Sequence, residues 1–166
     1  SSIQTNIGWN YNQLTELEEK ITIPAVRFNT HSIPYTLRWK HQLKPTIDLQ
    51  VGVQGMVQLT ENAPEAEEKL VENTNTFDNG FFAIIHKKWD KLTLQMGICG
   101  DLRSVQLLES KNNRSFLGFN GSAGFVYSHE RNLIRLNYSS GFRAPTAYEL
   151  TANGQHHGSF RYEIGD

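Results

Sequence analysis

At 166 residues, with a formal net charge of −1 and a pI near 6.6, the chain is long enough for one ordinary domain and has no basic excess to draw it to nucleic acid or an anionic surface. The single cysteine, Cys99, excludes an internal disulfide and a cysteine-rich zinc module, and reads as a small buried apolar residue. No run of about 18 apolar residues and no charged-then-apolar leader occurs, so neither a helical span nor a signal peptide is expected; strands that cross a bilayer by alternation stay compatible with a mean hydropathy of −0.49.

Near the start, Ile3, Ile7, Trp9 and Tyr11 alternate with Asn6, Gly8 and Asn10. Apolar residues at every second position predict a strand with one apolar and one polar face. Ile33, Tyr35, Leu37 and Trp39 repeat the pattern against Thr36, Arg38 and Lys40. It is cleanest from Thr46 to Thr60, where Ile47, Leu49, Val51, Val53, Val57 and Leu59 alternate with Asp48, Gln50, Gly52, Gln54, Met56 and Gln58. Gly80 to Lys88 begins apolar on both sides, through Phe81, Phe82, Ile84 and Ile85, which predicts a strand without assigning its faces. From Leu92 to Ser104, Leu92, Leu94, Met96, Ile98 and Leu102 oppose Thr93, Gln95, Gly97, Cys99, Asp101 and Arg103, a polar side too charged for a packed core. Two more strands follow: Leu117, Phe119, Ala123, Phe125 and Tyr127 against Gly118, Asn120, Ser122 and Gly124, then Ile134, Leu136 and Tyr138 against Arg135, Asn137 and Ser139.

The connections alternate in length. Leu43 to Thr46, Trp89 to Lys91 and Ser128 to Asn132 are hairpin-sized, whereas Asn12 to His31, Glu61 to Asn79 and Gln106 to Arg114 are long and polar. The charge clusters Glu16 to Lys20 and Glu65 to Lys69 fall in those long loops, where they are solvated. In an up-and-down meander every second connection lies on the same side, so short turns would face one compartment and long loops the other. Tyr11, Tyr35, Trp39, Trp89, Phe116, Tyr127 and Tyr138 fall near predicted strand ends, where amphipathic rings favour a membrane interface. Soluble sandwiches alternate too, but with strands of about five or six residues, and several here reach the length a tilted strand needs to cross a bilayer. The pattern predicts an all-β fold: an antiparallel up-and-down meander of about seven long strands, part of a transmembrane β-barrel.

Gly141-Phe-Arg-Ala-Pro-Thr-Ala-Tyr-Glu-Leu150, followed by a His-rich stretch and Tyr162-Glu-Ile-Gly165, is similar to the late barrel region of TonB-dependent outer-membrane receptors. A fainter likeness in Asn6-Ile-Gly-Trp-Asn-Tyr-Asn12, Gly80-Phe-Phe-Ala83 and Gly121-Ser-Ala-Gly124 extends it over nearly the whole chain. The resemblance implies a bacterial outer-membrane protein that imports scarce nutrients, mostly ferric siderophores, haem, cobalamin or other metal complexes. Such a receptor has a barrel of roughly 22 strands around an N-terminal plug and is energised through TonB. This sequence matches no plug or TonB box and holds about seven of the strands, so residues 1–166 read as a barrel domain incomplete at both ends. Contact with TonB would come only through the plug. Open sheet edges predict closure, pairing with a second copy, or rearrangement of an isolated piece. An iron complex is the expected ligand and outer-membrane lipid the expected surroundings; no cofactor and no nucleic-acid partner is expected. A zinc-uptake receptor of the same family and a soluble ligand-binding β-barrel or sandwich are the alternatives.

His156-His157 carries the metal-site expectation. The resemblance places a haem-ligating His near this stretch, and imidazole suits haem iron or zinc. Adjacent residues of an extended segment point opposite ways, so both rings reach one ion only if the loop turns; the plainer reading is a pair of solvated loop residues. Arg143 offers a guanidinium fork to an anionic ligand, with Tyr148 and Glu149 close by, and an internal Arg143–Glu149 ion pair is the plainer alternative. Asp101 and Arg103, two residues apart on one face at the loop end of their strand, are placed to meet a ligand or plug or to bridge within the lumen. Pro145 is expected to end its strand, and His86 is expected to be structural. No nucleophile elbow, zinc-protease helix, phosphate loop or Cys-His pair occurs, so enzyme activity is not expected.

Overall fold

The computed structural model describes residues 1–17, 24–66, 69, 71–151, 153–156 and 161–164, the last two stretches as backbone alone. One antiparallel sheet contains β1 (Ser2–Ile7), β2 (Asn10–Glu16), β3 (Val26–Lys44), β4 (Ile47–Asn62), β5 (Thr74–Lys88), β6 (Leu92–Leu107), β7 (Asn113–His129) and β8 (Asn132–Ser139). From β3 onward each strand pairs with the next, and β1 and β2 both pair with β3.

β1 and β2 amount to one strand. Ile7 lies opposite Tyr35 and Asn10 opposite Ser32, so no residue is gained or lost across the gap. The Gly8 N–H donates to the Pro34 carbonyl at 2.9 Å, but Pro34 has no N–H to return, and the ladder lapses there. The wall therefore has the seven strands that the alternation predicts.

Its faces follow from register. One face carries the rows Leu37, Val53, Phe81, Gly100, Phe119 and Trp39, Val51, Ala83, Ile98, Gly121, each residue opposite the next. The other carries Arg38, Gly52, Phe82, Cys99, Asn120 and Thr36, Gln54, Gly80, Asp101, Gly118. Strand β5 thus acquires definite faces: Phe81, Ala83 and Ile85 join the apolar side, while Phe82, Ile84 and His86 join the polar side. His86 Nε2 sits 2.9 Å from Gln95 Oε1, as a structural residue would. Phe82 is accommodated because Gly52 has no side chain, and the Arg38 guanidinium lies over its ring, 5.9 Å from the centre.

The apolar face is the exposed one. Phe119 is 76 % exposed, Ile98 69 % and Phe81 63 %, whereas the largest fully buried side chains among the described residues are Val105 and Thr74. These two belong to a small cluster at the long-loop end with Ala25, Val26, Ala63 and Val71, tied by the Asn62 amide donating to the Val71 carbonyl at 2.6 Å. Sheet surface so apolar and so open matches the outer band of a membrane barrel. Rims of paired rings bound it. On the short-turn side Trp39 stacks on His41 with centres 5.2 Å apart, and Lys87 Nζ stands 4.5 Å from the centre of Trp89; on the other side His31 lies between Trp9 and Tyr11.

The strands outrun the periodicity at the loop end. β3 begins at Val26 rather than near Ile33, and β5 at Thr74 rather than Gly80, which shortens the connections to residues 17–25, 63–73 and 108–112. There the outward side chains are polar: Tyr11 Oη and Gln13 Nε2 both donate to Asn29 Oδ1, at 2.9 and 2.8 Å. The backbone ladder continues where the apolar alternation has stopped. Pro145 does not end a strand; β8 stops at Ser139, and after the Ser140 N–H donates to the Gly121 carbonyl the chain leaves the sheet. It then forms a short helix α1 (Ala147–Thr151) and a separate hairpin of β9 (Asn153–His156) and β10 (Arg161–Ile164).

The short turns step along the wall. Lys44, Ile47, Lys87, Leu94, Phe125 and Leu136 form one register row. The first hairpin ends on that row, β6 starts two residues beyond it at Leu92, and β7 runs four residues beyond it to His129.

Candidate functional site

On the polar face, β4, β5, β6 and the segment after β8 line an open cavity of about 310 Å³. Its centre is an ion pair between register partners: Arg103 Nε and Nη2 donate to Asp78 Oδ1 and Oδ2 at 2.6 and 2.8 Å. The flat guanidinium matches a carboxylate with two parallel bonds, and both side chains are about three-quarters shielded, which lessens the usual screening of surface pairs. Arg103 Nη1 is turned the other way, 3.4 Å from the Ala144 carbonyl and 3.3 Å from that of Pro145. One guanidinium thereby joins the sheet to the chain crossing over it.

That crossing segment needs room, and two glycines supply it. Asp101 lies opposite Gly80 on one side and Gly118 on the other. A Cβ at Gly80 would stand 2.5 Å from Asp101 Oδ1, and a Cβ at Gly118 would occupy the Phe142 ring. Asp101 is therefore free to accept from Asn120 Nδ2 at 2.8 Å and from the Cys99 thiol at 3.1 Å, and the Phe142 ring sits against Gly118 of β7. Ser140 Oγ reinforces the departure point by accepting from the Gly121 N–H at 2.9 Å. Ala144, next to the Arg103 contacts, is buried.

Beyond Ala144 the segment folds on itself. Thr146 caps α1: its hydroxyl accepts from the Glu149 N–H at 3.2 Å, and Glu149 Oε2 accepts in return from the Thr146 N–H at 2.8 Å. This is the reciprocal capping pattern of Thr-x-x-Glu. Arg143 closes the loop with two bonds of 2.7 Å to the same carboxylate. The Arg143 bonds first, then those from Thr146, hold the Glu149 carboxyl down at about 2, and the Arg143 guanidinium is pushed up by the same contact.

Of the residues singled out from sequence, Asp101, Arg103 and Arg143 line one cavity. Arg103 bridges within the lumen face, but to Asp78 rather than to Asp101, and Arg143 takes the internal pair with Glu149. Tyr148 is half-buried in α1. His156 stands on β9, opposite Arg161, in a two-stranded sheet separate from the main one, and His157 lies outside the described residues. Among the described residues no three His, Cys, Asp or Glu side chains gather as a metal-ligand set. Sequence reading missed Asp78, which falls in a stretch read as loop; its signal was Phe77 four residues before Phe81, with Asp78 in step with Gly80 and Phe82.

Comparison with curated proteins and with solved structures gives no match. The family model for the β-barrel of TonB-dependent receptor-like proteins matches residues 3–166, the whole sheet with its inward segment, and the chain belongs to that family.

Proposed function

We propose that this chain forms part of the wall of an outer-membrane receptor that takes up an iron complex, a ferric siderophore or haem, by TonB-energised passage. TonB-dependent receptors are a family of outer-membrane receptors and transporters. The observation that carries the reading is the division of one sheet into an exposed apolar face and a polar face holding the Asp78–Arg103 cavity. A lumen of this kind offers charged and hydrogen-bonding groups to a ligand while the opposite face meets lipid.

In this reading Asp101, Arg103, Arg143, Tyr148 and Glu149 are lumen-side contacts, with the Arg143 fork the natural partner of a ligand carboxylate. His156 and His157 are the candidate metal or haem ligands. The test is uptake of isotopic iron, presented as siderophore or haem, by iron-starved cells lacking the full receptor gene and complemented with it. Restored accumulation that falls several-fold with Arg143→Ala is the expected result. Accumulation of zinc but not iron would replace the iron reading with the zinc reading.

A further inference from the structure

We propose that the apolar face carries a seat for one anionic phospholipid from the leaflet on the short-turn side, its acyl chain lying in a groove across β3 to β7 and its phosphate held between Lys44 and Lys87. The inference rests on the outer-membrane reading and specifies a partner for the outward face.

The groove exists because small residues alternate with large ones. In the row Phe81, Gly100, Phe119 the middle position has no side chain, and in the next row Ala83 and Gly121 flank Ile98. The rings stand as walls and the glycines leave a floor. The resulting hollow is about 700 Å³ and almost wholly apolar, and it shares Ala83 and Ile98 with a second hollow of about 220 Å³ that continues past Leu49, Ile85 and Met96 toward the short turns. Trp39, stacked on His41, forms the wall nearest that rim.

The groove ends in charge. Lys44 and Lys87 lie on either side of Ile47 in one register row, on the face of Leu49 and Ile85. Two strand spacings separate their backbones by about 10 Å, which lets both ammonium groups converge on one phosphate. Lys87 is held at the rim over Trp89. Of the nearby carboxylates, Asp48 alternates to the opposite face, and Asp90 lies in the turn beyond. The outward face at the other rim differs: its Arg27 is already paired with Glu65 at 2.9 Å, and the row His31, Leu59, Asn75, Gln106 contains no carboxylate, lysine or arginine.

Length fits as well. From Phe81 to Lys87 the strand advances about 20 Å, and a barrel tilt of about 35–45° leaves roughly 15 Å along the bilayer normal. That is about half of a 30 Å hydrocarbon core, the depth of one acyl chain.

The test reconstitutes the full receptor containing this chain into phosphatidylcholine vesicles with a minor share of phosphatidylglycerol, and counts the lipids retained after transfer to mild detergent by native mass spectrometry. Preferential retention of one phosphatidylglycerol is expected, with the preference falling about fivefold for each of Lys44→Gln and Lys87→Gln. Ala83→Leu, which fills the groove and leaves the charges, is expected to lose the retained lipid. Gel mobility with and without heating verifies that each variant is folded. An unchanged preference in the double lysine variant, or undiminished retention with Ala83→Leu, overturns the seat while the receptor reading stands. A receptor that does not enter vesicles overturns both.

Discussion

The two faces of this sheet obey opposite rules although the same strands supply both. Outward, Phe119, Ile98 and Phe81 are the most open large side chains of their strands and make no polar contact; inward, Asp78, Arg103, Asp101 and Asn120 are partly shielded and nearly every polar group has a partner. A water-soluble domain of this length would hide the first set and expose the second. In the proposed outer-membrane setting the reference solvent of the outward face is hydrocarbon, and the low-dielectric side of the wall is outside.

The sharpest way to break this comparison is to place a charge on each face. Ile98 lies six residues from the start of β6, near the middle of the apolar band, and Ile98→Arg is expected to destabilise the vesicle-embedded receptor by about 2–4 kcal/mol in denaturant titration. Gln95→Arg, inward on the same strand, should cost no more than about 1 kcal/mol. Equal costs would mean that the outward face is not in lipid.

A smaller effect probes how the inner face holds the crossing segment. Arg103→Ala strands the largely shielded Asp78 carboxylate and removes both contacts to the carbonyls of residues 144 and 145, for a loss of about 1–3 kcal/mol. Protease cleavage within residues 140–151 should accelerate with it; an unchanged cleavage rate would show that something other than Arg103 pins the segment. Thr146→Ala should cost about 1 kcal/mol, confined to α1 and visible as faster amide exchange at Glu149.

The least effect is expected from acid. Glu149 has an ordinary value of 4.5 and is held at about 2 in the fold, so its contribution is fully present above about 4.5 and is lost as pH falls through about 2. Proton titration of the Glu149 side chain by NMR should give that low midpoint, and Arg143→Gln should return it toward the ordinary value. A midpoint near 4.5 in the unaltered chain would mean that the Arg143–Glu149 clasp is open in solution.

Much of the wall was legible in the sequence because a bilayer imposes period two on it. The three short turns, the seven strands and the faces of β4, β6 and β7 follow from alternation alone. Alternation fails where the outward solvent changes. Past Tyr11 and His31 the outward side chains turn polar, so Gln13 and Asn29 read as loop although the ladder runs on through them. The site was half legible for a different reason. Asp101, Arg103, Arg143 and Glu149 announced themselves by charge, but their pairing depends on Gly80 and Gly118 leaving space and on Phe142 entering it, a packing outcome with no periodic signature.

The stepping of the short turns has a geometric meaning. Two residues per hairpin is one residue per strand, an offset of about 3.3 Å for every 4.8 Å travelled sideways, which inclines the strands by roughly 35° to the axis of any closed wall built at that rate. Inclination of this size is set locally, by where Pro45, Trp89 and Glu130 allow the chain to reverse, so a single inserted residue in one of those turns would alter the pitch of the wall as well as the face its next strand presents.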